Sequence, residues 1–163
     1  MRNVLLAVSM AALAMPVARA TDPPEIKEGL WQIHTQTTDN PGAKKSEGTY
    51  SLCRDHAYDK SVQAKVKQMP GCTVANESFE AGKYSVQSHC VRAGTTIDSK
   101  STTTSQGDTV LRSETHATYS PALFGVSEST MVTEQKYAGS CPAGVQPGDR
   151  INADGSVMHR GKK

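Results

Sequence analysis

Four cysteines and five histidines carry most of the chemistry this 163-residue chain can offer. Cys53, Cys72, Cys90 and Cys141 could ligate a metal, run redox chemistry or pair as disulfides. No two of them form a Cys-x-x-Cys unit, the spacing that a zinc knuckle or a thiol oxidoreductase needs, so pairing is the chemistry left to them. His34, His89 and His116 fall in extended segments, and no two histidines stand as His-x-His or His-x-x-x-His. A metal site needs several ligands converging on one point, which this spacing does not supply. Asn152, Asp154 and Gly155 have the spacing of the middle of a calcium loop, but Arg150 and Gly161 then stand where such a loop needs carboxylates. Asn, Asp and Gly favour turns for their own backbone reasons, and the stretch reads as a turn.

Motifs of catalysis are missing as well. There is no Gly-x-Ser-x-Gly elbow, no His-Glu-x-x-His pair and no glycine-rich phosphate loop. The sequence therefore assigns no catalytic, cofactor-binding or metal-binding residue and calls for no cofactor. An enzyme would have to gather dispersed groups such as His34, His116 and Asp98, as catalytic triads on other folds do. His116, beside Glu114 on one strand face, reads more simply as solvated sheet surface.

The chain opens with a leader. Arg2 precedes an apolar stretch from Val4 to Val17, and Ala18-Arg19-Ala20 has the small-x-small pattern of a signal-peptidase site. Fourteen apolar residues fall short of the roughly twenty that a spanning helix needs. The expectation is a signal peptide over residues 1–20, export to the periplasm and no stable membrane insertion. Arg2 and Arg19 leave with the leader, so the 18 basic residues become 16 against 16 acidic ones. A neutral chain with interspersed charges gives no electrostatic ground for a nucleic-acid partner.

Residues 21–163 read as one domain. Its period is mostly two: strands are expected over Glu28–Thr37, Glu47–Cys53, Cys72–Phe79, Lys83–Arg92, Thr95–Thr104, Thr109–Tyr119 and Val126–Tyr137, rich in Thr, Val and Tyr. Between the second and third, Tyr58, Val62, Val66 and Met69 recur at helical spacing until Pro70-Gly71. That predicts one helix over about residues 55–69, capped by Asp55. A three-residue loop at Glu80-Ala81-Gly82 would set Phe79 opposite Lys83, Asn76 opposite Val86, Val74 opposite Ser88 and Cys72 opposite Cys90. Cys72–Cys90 is then the cross-strand bridge, and Cys53–Cys141 takes the remainder. Loops of these lengths contribute roughly 3 and 4.5 kcal/mol in the chain-entropy view, a large share of a typical net stability of about 5 to 15 kcal/mol. Bonded at Cys141, the turn-dense segment 141–163 would act as a clasp on the end of the sheet.

Alternation assigns the core to Trp31, Ile33, Val74, Tyr84, Val86, Leu111, Tyr119, Met131 and Tyr137, with the helix or the Ser120–Val126 segment covering what remains; the Ala-Leu-Phe-Gly stretch of that segment, bracketed by Pro121 and Gly125 between polar strands, reads equally as an exposed apolar lid. Trp31, Tyr84, Tyr119 and Phe124 are the residues expected to line a ligand cavity, or else to fill the core.

The segments IKEGLWQIHTQT, YSLCRD, PGCTV, YSVQSHC, YAGSCPAGVQPGD and ADGSV together resemble the bacterial domain of unknown function 3617 family. The Gly29-Leu30-Trp31 start and the Gly139 to Asp149 ending are the most specific elements, with Arg150 where relatives commonly carry Met. The resemblance implies an exported protein of Gram-negative bacteria whose cysteines form disulfides, and it brings no catalytic residues. The fold class expected is mainly β: a single antiparallel up-and-down curved sheet or partly open barrel of seven strands, with one helix and two disulfides. Such a shape suits a non-enzymatic binding module for an apolar small molecule or an envelope protein. The alternatives are a structural or stress-related envelope protein without a small ligand, working through its sheet edges, and an enzyme with a dispersed site.

Overall fold

A computed structural model of the protein describes residues 25–80 and 82–161. The expected leader, residues 1–20, lies outside the described residues. The elements run β1 (Gly29–Asn40), β2 (Lys44–Arg54), α1 (His56–Lys67), β3 (Cys72–Glu80), β4 (Lys83–Arg92), β5 (Thr95–Gln106), β6 (Val110–Leu123), β7 (Val126–Gly139), β8 (Arg150–Asn152) and β9 (Val157–Met158). The seven expected strands are all present. Two short ones, β8 and β9, are added within the C-terminal clasp.

All nine strands form one antiparallel sheet in the order β3-β4-β5-β6-β7-β1-β2-β8-β9, open at both edges. No helix among the described residues is long and apolar enough to cross a membrane. Alternation divides the sheet into two faces. One carries charged and imidazole side chains, including Arg112, Glu114, His116 and His34. The other, the inner face, holds its buried cluster at one end: Ile26, Trp31, Ile33 and Leu111 are buried there, with Tyr50, Leu52 and Tyr137 packed against them. Toward the other end the paired rows become hydroxyls, among them Thr103–Ser113, Ser101–Thr115 and Ser88–Ser99.

Trp31 is fully buried; its indole N–H donates to the carbonyl of Lys27 at 2.8 Å, and its ring meets Tyr137 edge-on at 6.1 Å. An amphipathic ring is thereby buried with its one donor satisfied. Two residues earlier, Gly29 has φ +140°, and a Cβ there would lie 2.4 Å from the carbonyl oxygen of Gly139 and 2.8 Å from the Tyr137 ring. Only glycine lets β1 pass so close to β7.

Both disulfides pair as expected, Cys72 with Cys90 across β3 and β4, and Cys53 with Cys141. The second reaches over β1 from the end of β2 to the segment after β7. Beyond it the clasp lies along β2: the Gly148 amide donates to the Cys53 carbonyl at 2.8 Å, Cys53 returns a bond to the Asp149 carbonyl, and β8 pairs with β2. Asp149, 3% exposed, gathers the clasp by accepting from the Gln146 and Arg160 amides and from the His159 ring. The two amides, then the imidazole, hold its carboxyl down to about 2. Asn152 to Ser156 is a turn joining β8 to β9, with Asp154 accepting from the Ser156 amide and hydroxyl.

Several expectations are corrected. At its turn the β3–β4 hairpin pairs Glu80 with Lys83 and Phe79 with Tyr84, not Phe79 with Lys83. A bulge between Ala75 and Ser78 restores the register that faces Cys72 to Cys90, so Asn76 does not pair with Val86. Asn76 sits there at φ 51°, a conformation asparagine tolerates better than most residues. Met131 lies on the inner face beside Thr37 and Thr115 but is 39% exposed, because nothing covers that end of the sheet. Val74, Val86 and Tyr119 are half-buried for the same reason, and Tyr84 is half-buried at the edge of the space beneath the helix. The Ser120–Val126 segment does not plug the core. It extends the β6–β7 hairpin, leaving Phe124 97% exposed beside its tip glycine.

Substituting Gly29→Ala forces both a strained φ and a backbone clash. We expect a loss of about 2–4 kcal/mol, measured by urea denaturation of the oxidised protein; an unchanged midpoint would contradict this close approach.

Candidate functional site

Helix α1 links β2 to β3, which lie at distant places in the sheet, so it must cross the inner face. Its first turn is tied near β7: Arg54 Nε meets Asp59 Oδ1 at 2.9 Å, and the same guanidinium donates to Gln135 at 2.7 Å. Its last turn is tied at β3, where Lys67 Nζ meets Glu77 Oε2 at 3.0 Å. Glu77 belongs to the bulge and also accepts from the Tyr84 hydroxyl of β4. That hydroxyl, and after it Lys67, holds the Glu77 carboxyl below its ordinary range. From β7 to β3 is about 19 Å at the usual strand spacing, a twelve-residue helix spans about 18 Å, and the long side chains at its ends make up the difference. The ends therefore suffice to hang the helix across the sheet.

The middle of the helix does not pack. No residue of α1 is buried. The side turned to the sheet carries His56, Lys60, Gln63, Ala64 and Lys67, while Val62 and Val66 on the opposite side are 38% and 48% exposed. This inverts the expectation that the stripe Tyr58, Val62, Val66 and Met69 would cover the core. The physical reason lies in the ties: Asp55 caps the helix by accepting from the Tyr58 amide at 2.6 Å, and the ion pairs at either end fix which side faces inward. Tyr58 itself turns to the clasp, its ring close to Gly148 and under the Arg160 guanidinium. Close packing of the inward side would strip water from Lys60, Gln63 and Lys67, at substantial cost.

A cavity of about 670 Å³ remains between helix and sheet. Its floor is Leu111, Ser113, Thr103, Tyr84 and Gln135, the N-terminal segment supplies Glu25 and Ile26 as one wall, and α1 with Arg54 is the roof. Thr103 and Ser113 are hydrogen-bonded to each other at 2.8 Å, and Leu111 and Ile26 are the apolar patches. His56 joins wall to roof. Its Nε2 lies 2.9 Å from the Ile26 carbonyl, and Glu28 accepts from its backbone amide at 3.0 Å. The Ile26 carbonyl first, then Glu28, raises the pKa of this imidazole above 6.5.

Of the residues expected at a site, Tyr84 lines this cavity. Trp31 belongs to the adjoining core, Tyr119 stands further along the inner face bonded to Ser129, and Phe124 is at the hairpin tip. The groups considered for a dispersed enzyme lie on the outer face. His34 is 3.0 Å from Thr49, Asp98 pairs with His89 at 2.7 Å, and His116 neighbours Thr130. Asp98 and His116 share a shallow groove that His34 does not reach. Among the described residues no three His, Cys, Asp or Glu side chains are grouped to hold a metal ion. The roof residues His56, Lys60, Gln63 and Lys67 were missed, although their spacing marks one face of the predicted helix.

An open antiparallel sheet, a single crossing helix and two disulfides define a stapled β domain of the kind that an oxidising, exported environment permits. The model of the protein of unknown function family DUF3617 matches residues 26–141, and the chain belongs to that family. The match begins at the buried Ile26 and ends at Cys141, so it takes in the core, the helix and all four cysteines. No curated protein matches the chain significantly.

A raised pKa means that protonated His56 supports the wall fully below pH 6.5, and that this support is lost as pH rises through the higher folded value. In an NMR titration we expect a His56 midpoint above 6.5 that stays above it in Glu28→Gln, because the Ile26 carbonyl is the larger cause. A midpoint at or below 6.5 in the parent protein would show that the wall is not joined in this way.

Proposed function

We propose that this is a non-enzymatic binding module of the Gram-negative periplasm that holds a small molecule between α1 and the inner face of its sheet. The cavity under an unpacked helix carries this reading. A helix serving only the core would bury its apolar stripe, whereas this one stands off the sheet and turns its polar side inward. The volume falls in the range of ordinary ligand clefts, roughly 300–1,000 Å³. Its lining calls for a ligand with an apolar body, to meet Leu111 and Ile26, and a polar part for the hydroxyls and the roof. The fully apolar ligand first expected fits this lining less well.

A second reading, docking to an envelope protein, is favoured by Phe124, which stands 97% exposed at the tip of the β6–β7 hairpin. Exposed aromatics in such positions serve as anchors at interfaces. On that reading the cavity would hold only water.

Native mass spectrometry of the protein purified without denaturation from its own periplasm separates the two. We expect an added mass that disappears in organic solvent and is absent from Ala64→Trp, whose indole fills the cavity from the roof. A bare mass for the parent protein, with capture of an envelope protein lost in Phe124→Ser, would overturn the small-molecule reading.

A further inference from the structure

The charges of the cavity are not evenly matched. Arg54 is held by Asp59 at 2.9 Å and by Gln135, and Lys67 is held by Glu77 at 3.0 Å. Glu25 lies toward His56, where its field and that of Glu28 favour the protonated ring. Lys60 is different. It stands in the middle of the roof, one turn after His56, with no ion-pair partner among the described residues. The same cavity is lined by Thr103 and Ser113, with their hydroxyls, and by the apolar side chain of Leu111. An ammonium group on a flexible four-carbon stem can reach down into such a space, and three donors remain on it.

Resting on the reading of the cavity as a small-molecule site, we infer that its ligand is an anionic amphiphile: an apolar chain against Leu111 and Ile26, ending in a carboxylate or phosphate that Lys60 receives. The one hydroxyl proton that the Thr103–Ser113 bond leaves free donates to the same anion. Arg54 and Lys67, already engaged with carboxylates, hold the helix in place over it.

The test uses the oxidised, ligand-stripped protein and four amphiphiles sharing one ten-carbon chain: decanoate, decyl phosphate, decanol and decyltrimethylammonium, titrated below micelle formation and followed by calorimetry. We expect one of the two anions to bind at least about tenfold more tightly than decanol, the scale of one charge-assisted hydrogen bond, and the ammonium compound to bind least. The ranking of the anions identifies the headgroup. Lys60→Glu, at an exposed position that the fold tolerates, should abolish the preference, and Lys60→Arg should keep it. Equal binding of anion, alcohol and ammonium, or a preference that survives Lys60→Glu, would overturn this inference while leaving the small-molecule reading intact. Failure of all four to bind would overturn both.

Discussion

The seating of Trp31 is the constraint on which the rest of this structure depends. The indole is fully buried between the strands that flank β1, its N–H is satisfied by Lys27, and Tyr137 closes one side of it. Gly29 makes the fit possible by letting β1 approach Gly139 where no side chain could stand. Few other side chains are buried. Ile26, Ile33 and Leu111 complete the cluster, and the Cys53–Cys141 bridge with the clasp anchored on Asp149 seals its end. A core this small gains from covalent staples, because cross-links remove conformational freedom from the unfolded chain.

Because the core closes at one end of the sheet, the helix is released from the usual duty of covering it. Its ties are polar and lie at its two ends, and the space beneath it is walled by residues that favour water or a polar ligand over close packing. The same economy explains the hydroxyl rows further along the inner face. Ser88 with Ser99 and Ser101 with Thr115 satisfy one another there, so that surface needs no cover.

Much of this was legible in the residues. Strict alternation in β4, β5 and β6 placed the strands and told the wet face from the inner one, whereas the expected facing of Cys72 to Cys90 holds because the bulge offsets a hairpin register that differs by one residue at the turn. The bulge at Asn76 was not, since its pairing change leaves no period in so short a strand. Helix α1 was recognised, yet its apolar stripe pointed to the wrong side, because Arg54–Asp59 and Lys67–Glu77 decide its rotation and such tertiary ion pairs leave no local pattern. For Phe124 the residues left cavity, core and exposed lid open, since Pro121 and Gly125 mark a break between polar strands but not how far the β6–β7 hairpin runs past the body of the sheet. Tyr84 was the one member of the expected cavity set that the fold delivers to the cavity.

Helix α1 is a cover held at its ends, not a packed part of the core. Native-state hydrogen exchange of the ligand-stripped protein measures this residue by residue. The account predicts that amides in the middle of α1, from Lys60 to Lys65, exchange through local opening and far faster than those of β1 and β6 around Trp31 and Leu111. Protection of the helix equal to that of β1 would mean that it opens only when the whole domain unfolds, and would contradict the account.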